Sequence, residues 1–362
     1  MIVTTPTTRA AMLSFFPELA DHGRTATRLH PRPGNPTARE SSVGGPLLRP
    51  ADETWPTCEH PHLVEKRVVL SEDEAAPMRA AELESHSRRL QSLARLEALG
   101  DQVAPELLAA MQRMAATPPP VHSGPVVETR YEAEQLPEPV RLVPVLQLRR
   151  SEAPGLTFPD GTDLLQILWC PTVHERPWPV ARAFWRRAAD VTEFLPVMPE
   201  PNRVEREDYV PQPCDVHPEH VVEYPPICLA DRDADYTPFG QLPADLEDRV
   251  RAWSDQRPET DDYVRLAHAP GWKVGGWDFS AVEPDNLRTC DCGEPMRPLL
   301  STVRSEDLQG WPVQGDPGFV WGDPKRWEDQ QPTRVDIARN GSFQLLYCPA
   351  DPRQHPLGYV ID

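Results

Sequence analysis

A seven-residue motif occurs twice in this chain, and no other feature restricts the fold as strongly. Leu165-Gln166-Ile167-Leu168-Trp169-Cys170-Pro171 aligns with Phe343-Gln344-Leu345-Leu346-Tyr347-Cys348-Pro349; four positions are identical and three exchange apolar for apolar. Upstream, Pro144-Val145-Leu146 through Glu152 matches Pro298-Leu299-Leu300 through Glu306, and Thr57-Cys58-Glu59-His60 matches Thr289-Cys290-Asp291-Cys292. Gly44-Gly45 and Gly275-Gly276 precede those cysteines at similar distances. Matches kept in one order are the mark of a repeated supersecondary unit. The sequence therefore expects an α+β fold of two pseudo-symmetric, mainly antiparallel β halves with added helices, residues 1–176 and 267–362, joined by a connector over 177–266.

Alternation supports strands at the repeat. Phe343, Leu345 and Tyr347 share one face, leaving Gln344, Leu346 and Cys348 on the other, and the first copy repeats this. Unequal spacing between the matches points to insertions. The largest, 72–116, has leucines at helical spacing (Leu83, Leu90, Leu93, Leu96, then Leu107, Leu108, Met111 and Met114) around a turn at Gly100-Asp101. It is expected to be a helical hairpin, either laid on the first half or serving as a partner-binding arm. In the connector, helices are expected over 179–189 (Val180, Phe184, Ala188) and 243–253, with ordered coil over 197–238. Forty-five prolines in 362 residues favour short strands and rigid turns over long helices. An amphipathic helix is expected within residues 1–19.

Each half carries an early Cys/His pair and a late one. The second offers Cys290, Cys292, Cys348 and His355; the first offers Cys58, then His60 or His62, then Cys170 and His174. Four soft donors are what tetrahedral structural zinc takes, and residues two apart on extended chain point the same way. Buried unliganded cysteines are the alternative at both. A third group, Cys214, His217, His220 and Cys228, lies among prolines, where surface histidines in a rigid loop are the ordinary reading.

The formal charge of −19 argues against nucleic acid as a direct ligand and suits a basic protein partner. No stretch has the ~20 apolar residues of a membrane span. The start lacks a basic region followed by a continuous apolar run, so a reducing cytoplasmic setting is expected, where seven cysteines serve as thiols or metal ligands. Enzyme signatures are missing: there is no Gly-x-Ser-x-Gly elbow, phosphate loop or dinucleotide fingerprint. A catalytic metal with Glu175 or Glu59 as base is the competing reading, that of a metal-dependent hydrolase. Acidic runs at 231–235 and 259–262 read as solvated faces. Trp272, Trp277, Trp321 and Trp327, around Gly275-Gly276 and Gly322-Asp323, read as packing residues or the lining of a groove.

Trp272-Lys273-Val274-Gly275-Gly276, Cys290-Asp291-Cys292-Gly293-Glu294-Pro295-Met296, Leu299-Leu300 and Phe343 to Cys348 together resemble the signature of YwqG-like proteins. The first half carries a degenerate form in Gly44-Gly45-Pro46, Trp55-Pro56, 144–148, Pro154-Gly155-Leu156 and 165–171. The wider TYPP-domain group includes relatives of programmed cell death protein 2. The resemblance implies a two-fold pseudo-symmetric α+β fold and non-enzymatic protein-interaction roles, namely chaperone-like escort of a basic ribosomal protein or immunity to a toxin. It implies no catalytic residue, and the zinc ligands rest on spacing within this chain.

Overall fold

The computed structural model describes residues 7–99, 104–116, 125–176, 178–227, 242–257, 262–278, 288–303, 311, 331–338 and 341–361. By contact the chain divides into a larger unit, Met1–His62 with Gln135–Asp362, and a smaller one, Leu63–Glu134.

The larger unit is built on two six-stranded antiparallel sheets, an α+β arrangement. Its strands are β1 (Arg24–Arg28), β2 (Arg32–Pro33), β3 (Ser42–Val43), β4 (Thr57–Cys58), β5 (His62–Val69, which enters the smaller unit), β7 (Val140–Arg141), β8 (Val143–Arg149), β9 (Leu164–Trp169), β10 (Ala181–Arg186), β11 (Cys214–Asp215), β12 (Glu219–Glu223), β13 (Lys273–Gly275), β14 (Arg297–Val303), β15 (Ser342–Tyr347) and β16 (Gly358–Ile361). One sheet runs β12-β1-β13-β14-β15-β16 and the other β10-β9-β8-β3-β11-β2; β4 and β7 form a separate pair. The chain changes sheet twice. It leaves β1 for β2 at residues 29–31 and leaves β11 for β12 at 216–218, and β1 pairs with β12 while β2 pairs with β11. The first strands are thereby laced into both sheets.

The two aligned segments occupy corresponding places. β8 pairs with β9 with a register shift between Pro144 and Leu146; β14 pairs with β15 with a shift between Pro298 and Leu300. Alternation works as expected. Leu165, Ile167 and Trp169 meet Phe343, Leu345 and Tyr347 in one apolar core shared by the two sheets. Trp169 meets Phe343 edge-on at 6.1 Å between ring centroids, and Trp178 stacks on Tyr359 at 6.1 Å. The opposite faces send Leu168 with Cys170, and Leu346 with Cys348, into two smaller apolar clusters.

The turn at Gly155 approaches β1 so closely that a side chain is excluded. A Cβ on Gly155 would fall 2.0 Å from the Thr25 carbonyl oxygen of β1, a backbone atom that cannot swing aside. Gly155→Ala is expected to cost about 3 kcal/mol through overpacking, read as a fall in Tm, whereas Gly161→Ala meets nothing within 4 Å and tests only its positive φ of 75°.

Helices α1 (Thr7–Phe15), α4 (Ala244–Ser254) and α5 (Tyr263–Ala267) form a cluster of their own, in which Met12, Phe16 and Leu19 pack with Leu246, Val250, Tyr263 and Leu266. Residues 1–6 of the expected amphipathic helix lie outside the described residues. The helix expected over 179–189 is instead β10, paired along its length with β9. Val180, Phe184 and Ala188 fit a helical period, but Ala181, Ala183 and Trp185 fit a period of two equally well. An open β9 edge decides between them. The stretch expected as coil over 197–238 supplies β11 and β12, with 228–238 outside the described residues.

The smaller unit holds α2 (Glu72–Ala98), α3 (Pro105–Ala116) and a ribbon of β5 with β6 (Val127–Glu134). Ser71 and Glu74 form a capping box at the start of α2. The turn at Gly100-Asp101 lies outside the described residues. Leu93 and Leu96 are half-buried, but Leu83 and Leu90 stand exposed, so the four leucines do not share one buried face. Among the described residues, no helix is long and apolar enough to cross a membrane.

Candidate metal centres

The outer faces of the two sheets end in two groups of thiols and imidazoles. Cys170 follows β9 and Cys348 follows β15, one residue beyond the last paired position in each case. Around them the chain gathers Cys58, His62, Cys170 and His174 in one set and Cys290, Cys292, Cys348 and His355 in the other. Within each set, one donor atom per residue lies within 4.8 Å of all the others.

In the first set, Cys58 Sγ lies 3.3 Å from His174 Nε2 and Cys170 Sγ lies 3.5 Å from His62 Nε2. In the second, Cys290 Sγ lies 3.5 Å from His355 Nδ1 and Cys292 Sγ lies 3.6 Å from Cys348 Sγ. Zn–S bonds of about 2.3 Å and Zn–N bonds of about 2.0–2.1 Å in a tetrahedron put neighbouring donors roughly 3.3–3.8 Å apart. Two donor pairs in each set therefore already have the spacing of a zinc tetrahedron's edges, and both sets can hold a metal ion. The donor composition, Cys2His2 and Cys3His, is the one that selects zinc over hard cations.

His62, and not His60, completes the first set; His60 is exposed and lies outside it. Cys58 ends β4, and the chain bends through Glu59-His60-Pro61, held by a hydrogen bond from Gln135 Nε2 to the Glu59 carbonyl of 2.7 Å. Residues 58, 60 and 62 share one parity, so alternation leaves both histidines open; the bend turns His60 to solvent and His62 inward. The return segment is held as well. The amides of Glu205 and Arg206 both donate to the Pro171 carbonyl at 3.1 Å, and the Val173 amide donates to Glu205 Oε2 at 3.2 Å. Thr172 Oγ1 lies 3.0 Å from Cys170 Sγ and is fully buried. Sequence spacing did not single out Thr172 or Glu205; the Cys-Pro-Thr run following a strand is the only signal of either.

The second set is framed by two turns. The Cys290 amide donates to the Glu294 carbonyl at 3.0 Å and the Gly293 amide to the Cys290 carbonyl at 2.7 Å, closing Cys-Asp-Cys-Gly into a hairpin that turns both sulfurs one way. Beyond Cys348, Asp351 Oδ1 accepts from the amides of Arg353 and Gln354 at 3.1 Å each, and its carbonyl accepts from the His355 amide at 3.1 Å. That turn brings His355 back to the cysteines.

Electrostatics in the first set favour the ligating protonation state at His62, His174 and Cys58, while Cys170 must lose its proton to a bound metal. Burial, with His62 beside it, pushes His174 down to about 4, and burial also lowers His62, so both imidazoles are neutral. Cys58 is drawn below the ordinary thiol value by the Cys170 S–H pointed at it, while the Cys58 charge and burial push Cys170 up. In the second set the Glu294 amide lowers Cys292, and the bond to Cys348 raises His355. The sets differ in access. All four residues of the first are buried, whereas Cys292 is exposed and His355 half-buried.

Among the described residues, the third group does not assemble. Cys214 Sγ lies 3.3 Å from the Pro332 carbonyl, His220 Nδ1 lies 3.1 Å from Thr27 Oγ1, and Cys228 lies outside the described residues. Trp321 and Trp327 also lie outside them; of the four tryptophans read as packing residues or a groove lining, Trp272 is in the core and Trp277 is buried. The acidic run 231–235 and residues 259–261 are likewise outside, and Asp262 caps α5 by accepting from the Arg265 amide at 2.9 Å.

A scan against protein-family models finds none that matches the chain, and a search of curated proteins finds no significant match.

Proposed function

We propose that this chain is a non-enzymatic protein-interaction module of the YwqG-like kind, built from two copies of one β unit, each closed by a structural zinc ion, and that its client is a basic protein. The observation that carries the reading is the pair of four-donor sets at the ends of β9 and β15. Each supplies four protein donors, which leaves no coordination position for substrate or water. A metal-dependent hydrolase needs such a position and a free carboxylate beside it; Glu59 is exposed and paired with Arg182 at 3.7 Å. The matching register shifts in β8–β9 and β14–β15 support a common ancestral unit.

A client of basic character follows from the charge of −19. An acidic surface speeds encounter with a cationic partner and masks its charge until delivery, which is the service an escort or an immunity protein performs. A reducing cytoplasm suits the thiolate ligands. The test is affinity capture from the native cell at low salt, followed by a salt titration with the purified client. Binding is expected to weaken several-fold as ionic strength rises through the physiological range. Recovery of an acidic client, or affinity indifferent to salt, overturns the charge-led reading.

A further inference from the structure

Arg24 and Arg297 make no ion pair among the described residues of this acidic protein. Arg24 begins β1 and Arg297 begins β14, and these strands flank β13, which ends at Gly275. Both line a pocket of about 200 Å³ with Thr25, Pro154, Gly155, Gly275, Gly276, Pro298 and Tyr347. That lining contains no carboxylate. Among the described residues, neither guanidinium makes an ion pair, although the chain carries 56 acidic side chains.

Two like charges are kept together at a cost. Burial, then the charge of Arg297, lowers Arg24 to about 10. Packing also holds Arg24 in place: its guanidinium lies over the Trp277 ring, 3.4 Å from the centroid, and Trp277 is itself fixed by a 3.1 Å bond from Nε1 to the His22 carbonyl. Stacking occupies the flat faces of a guanidinium and leaves its N–H edges free to bond in plane. The side-chain direction of Gly276 is taken by the Glu223 carboxylate, which Lys273 pairs, and that of Gly275 by the Thr25 and Gly155 backbone, so the two glycines add only main chain to the lining. At the back, the Tyr347 hydroxyl accepts from the Thr157 amide at 3.0 Å and keeps its own proton to donate.

We propose that this pocket binds a small oxyanion, the carboxylate or phosphate group of a small ligand, held between Arg24 and Arg297 with the Tyr347 hydroxyl as a third donor. Paired guanidiniums suit such groups because their parallel N–H bonds match two oxygens at once. A site of this sign on an acidic protein also rejects cations, so it is separate from the surface proposed to meet a basic client and does not depend on that reading.

Calorimetric titration of the full-length protein with inorganic phosphate and with acetate, each against chloride at matched ionic strength, tests the proposal. Saturable binding of at least one anion is expected, weakened tenfold or more by Arg297→Gln, a change at an exposed side chain that leaves the thermal transition in place. Arg24→Gln is expected to do the same, and Trp277→Phe to weaken binding less. Phosphate alone, acetate alone, or both binding assigns the ligand class. No heat from either beyond chloride, or binding that survives both arginine substitutions, overturns the site.

Discussion

Cys170→Ser and Cys348→Ser are each expected to lower the zinc content of the purified chain from two equivalents to one, and the double variant to abolish it. The grounds are four soft donors within reach of one ion at the end of each repeated strand, with donor-to-donor spacings of 3.3–3.6 Å. Structural zinc contributes ~10 kcal/mol or more to small zinc-folded domains. Here two packed sheets share the load, so the chain remains folded and Tm falls by about 10 °C for Cys170→Ser. The Cys348→Ser effect is smaller. The first set is wholly buried, and its loss strands two neutral imidazoles whose Nε2 atoms face sulfur; the second opens to solvent at Cys292, where water replaces the lost partner. The same asymmetry makes a chelator strip the second ion first. Elemental analysis against protein concentration reads the stoichiometry, and native protein without metal ends the zinc reading.

Glu223→Ala is expected to destabilise the larger unit by about 3–5 kcal/mol, the cost of leaving one buried charge without its partner. Lys273 and Glu223 are both fully buried and paired through Nζ and Oε1. The same carboxylate accepts from the amides of Ala269 and Trp277 at 2.9 Å each, so one side chain ties β12 to the segments before and after β13. Burial drives Lys273 below the ordinary lysine value, and Glu223 opposes that drive. Thermal melts should show a Tm lower by roughly 10 °C. Glu223→Gln, which keeps an acceptor but no charge, should fall between. The double variant Glu223→Gln/Lys273→Met should be less damaged than Glu223→Ala. A single-variant loss within the range of a surface substitution would mean that the pair is solvated.

Several parts of this architecture were legible in the chain. The repeated strand was readable because its alternation has a period of two and ends both times in Cys-Pro. Its inward face, Leu165, Ile167 and Trp169 against Phe343, Leu345 and Tyr347, forms the core as expected. Seven of the eight expected metal donors are brought together, since each lies in or beside a repeated segment. The choice between His60 and His62, open in the sequence, falls to His62 because the bend over 59–61 leaves His60 exposed. The 179–189 segment fails because eleven residues fit two periods at once, and only the free edge of β9 selects the strand.

What the linear order determined by itself is the repeat, the strand faces, the acidic balance and the kinds of donor gathered at each strand end. All of these follow from covalent spacing and side-chain chemistry, which persist in any conformation. Only the tertiary structure decided that β1 and β2 enter different sheets, that His62 turns inward, that Glu223 meets Lys273 fifty residues away, and that Arg24 and Arg297 line one pocket. Each of those depends on which segments share a sheet edge. Strand pairing is settled by the burial of whole faces across long loops, a sum over the molecule that no local window contains.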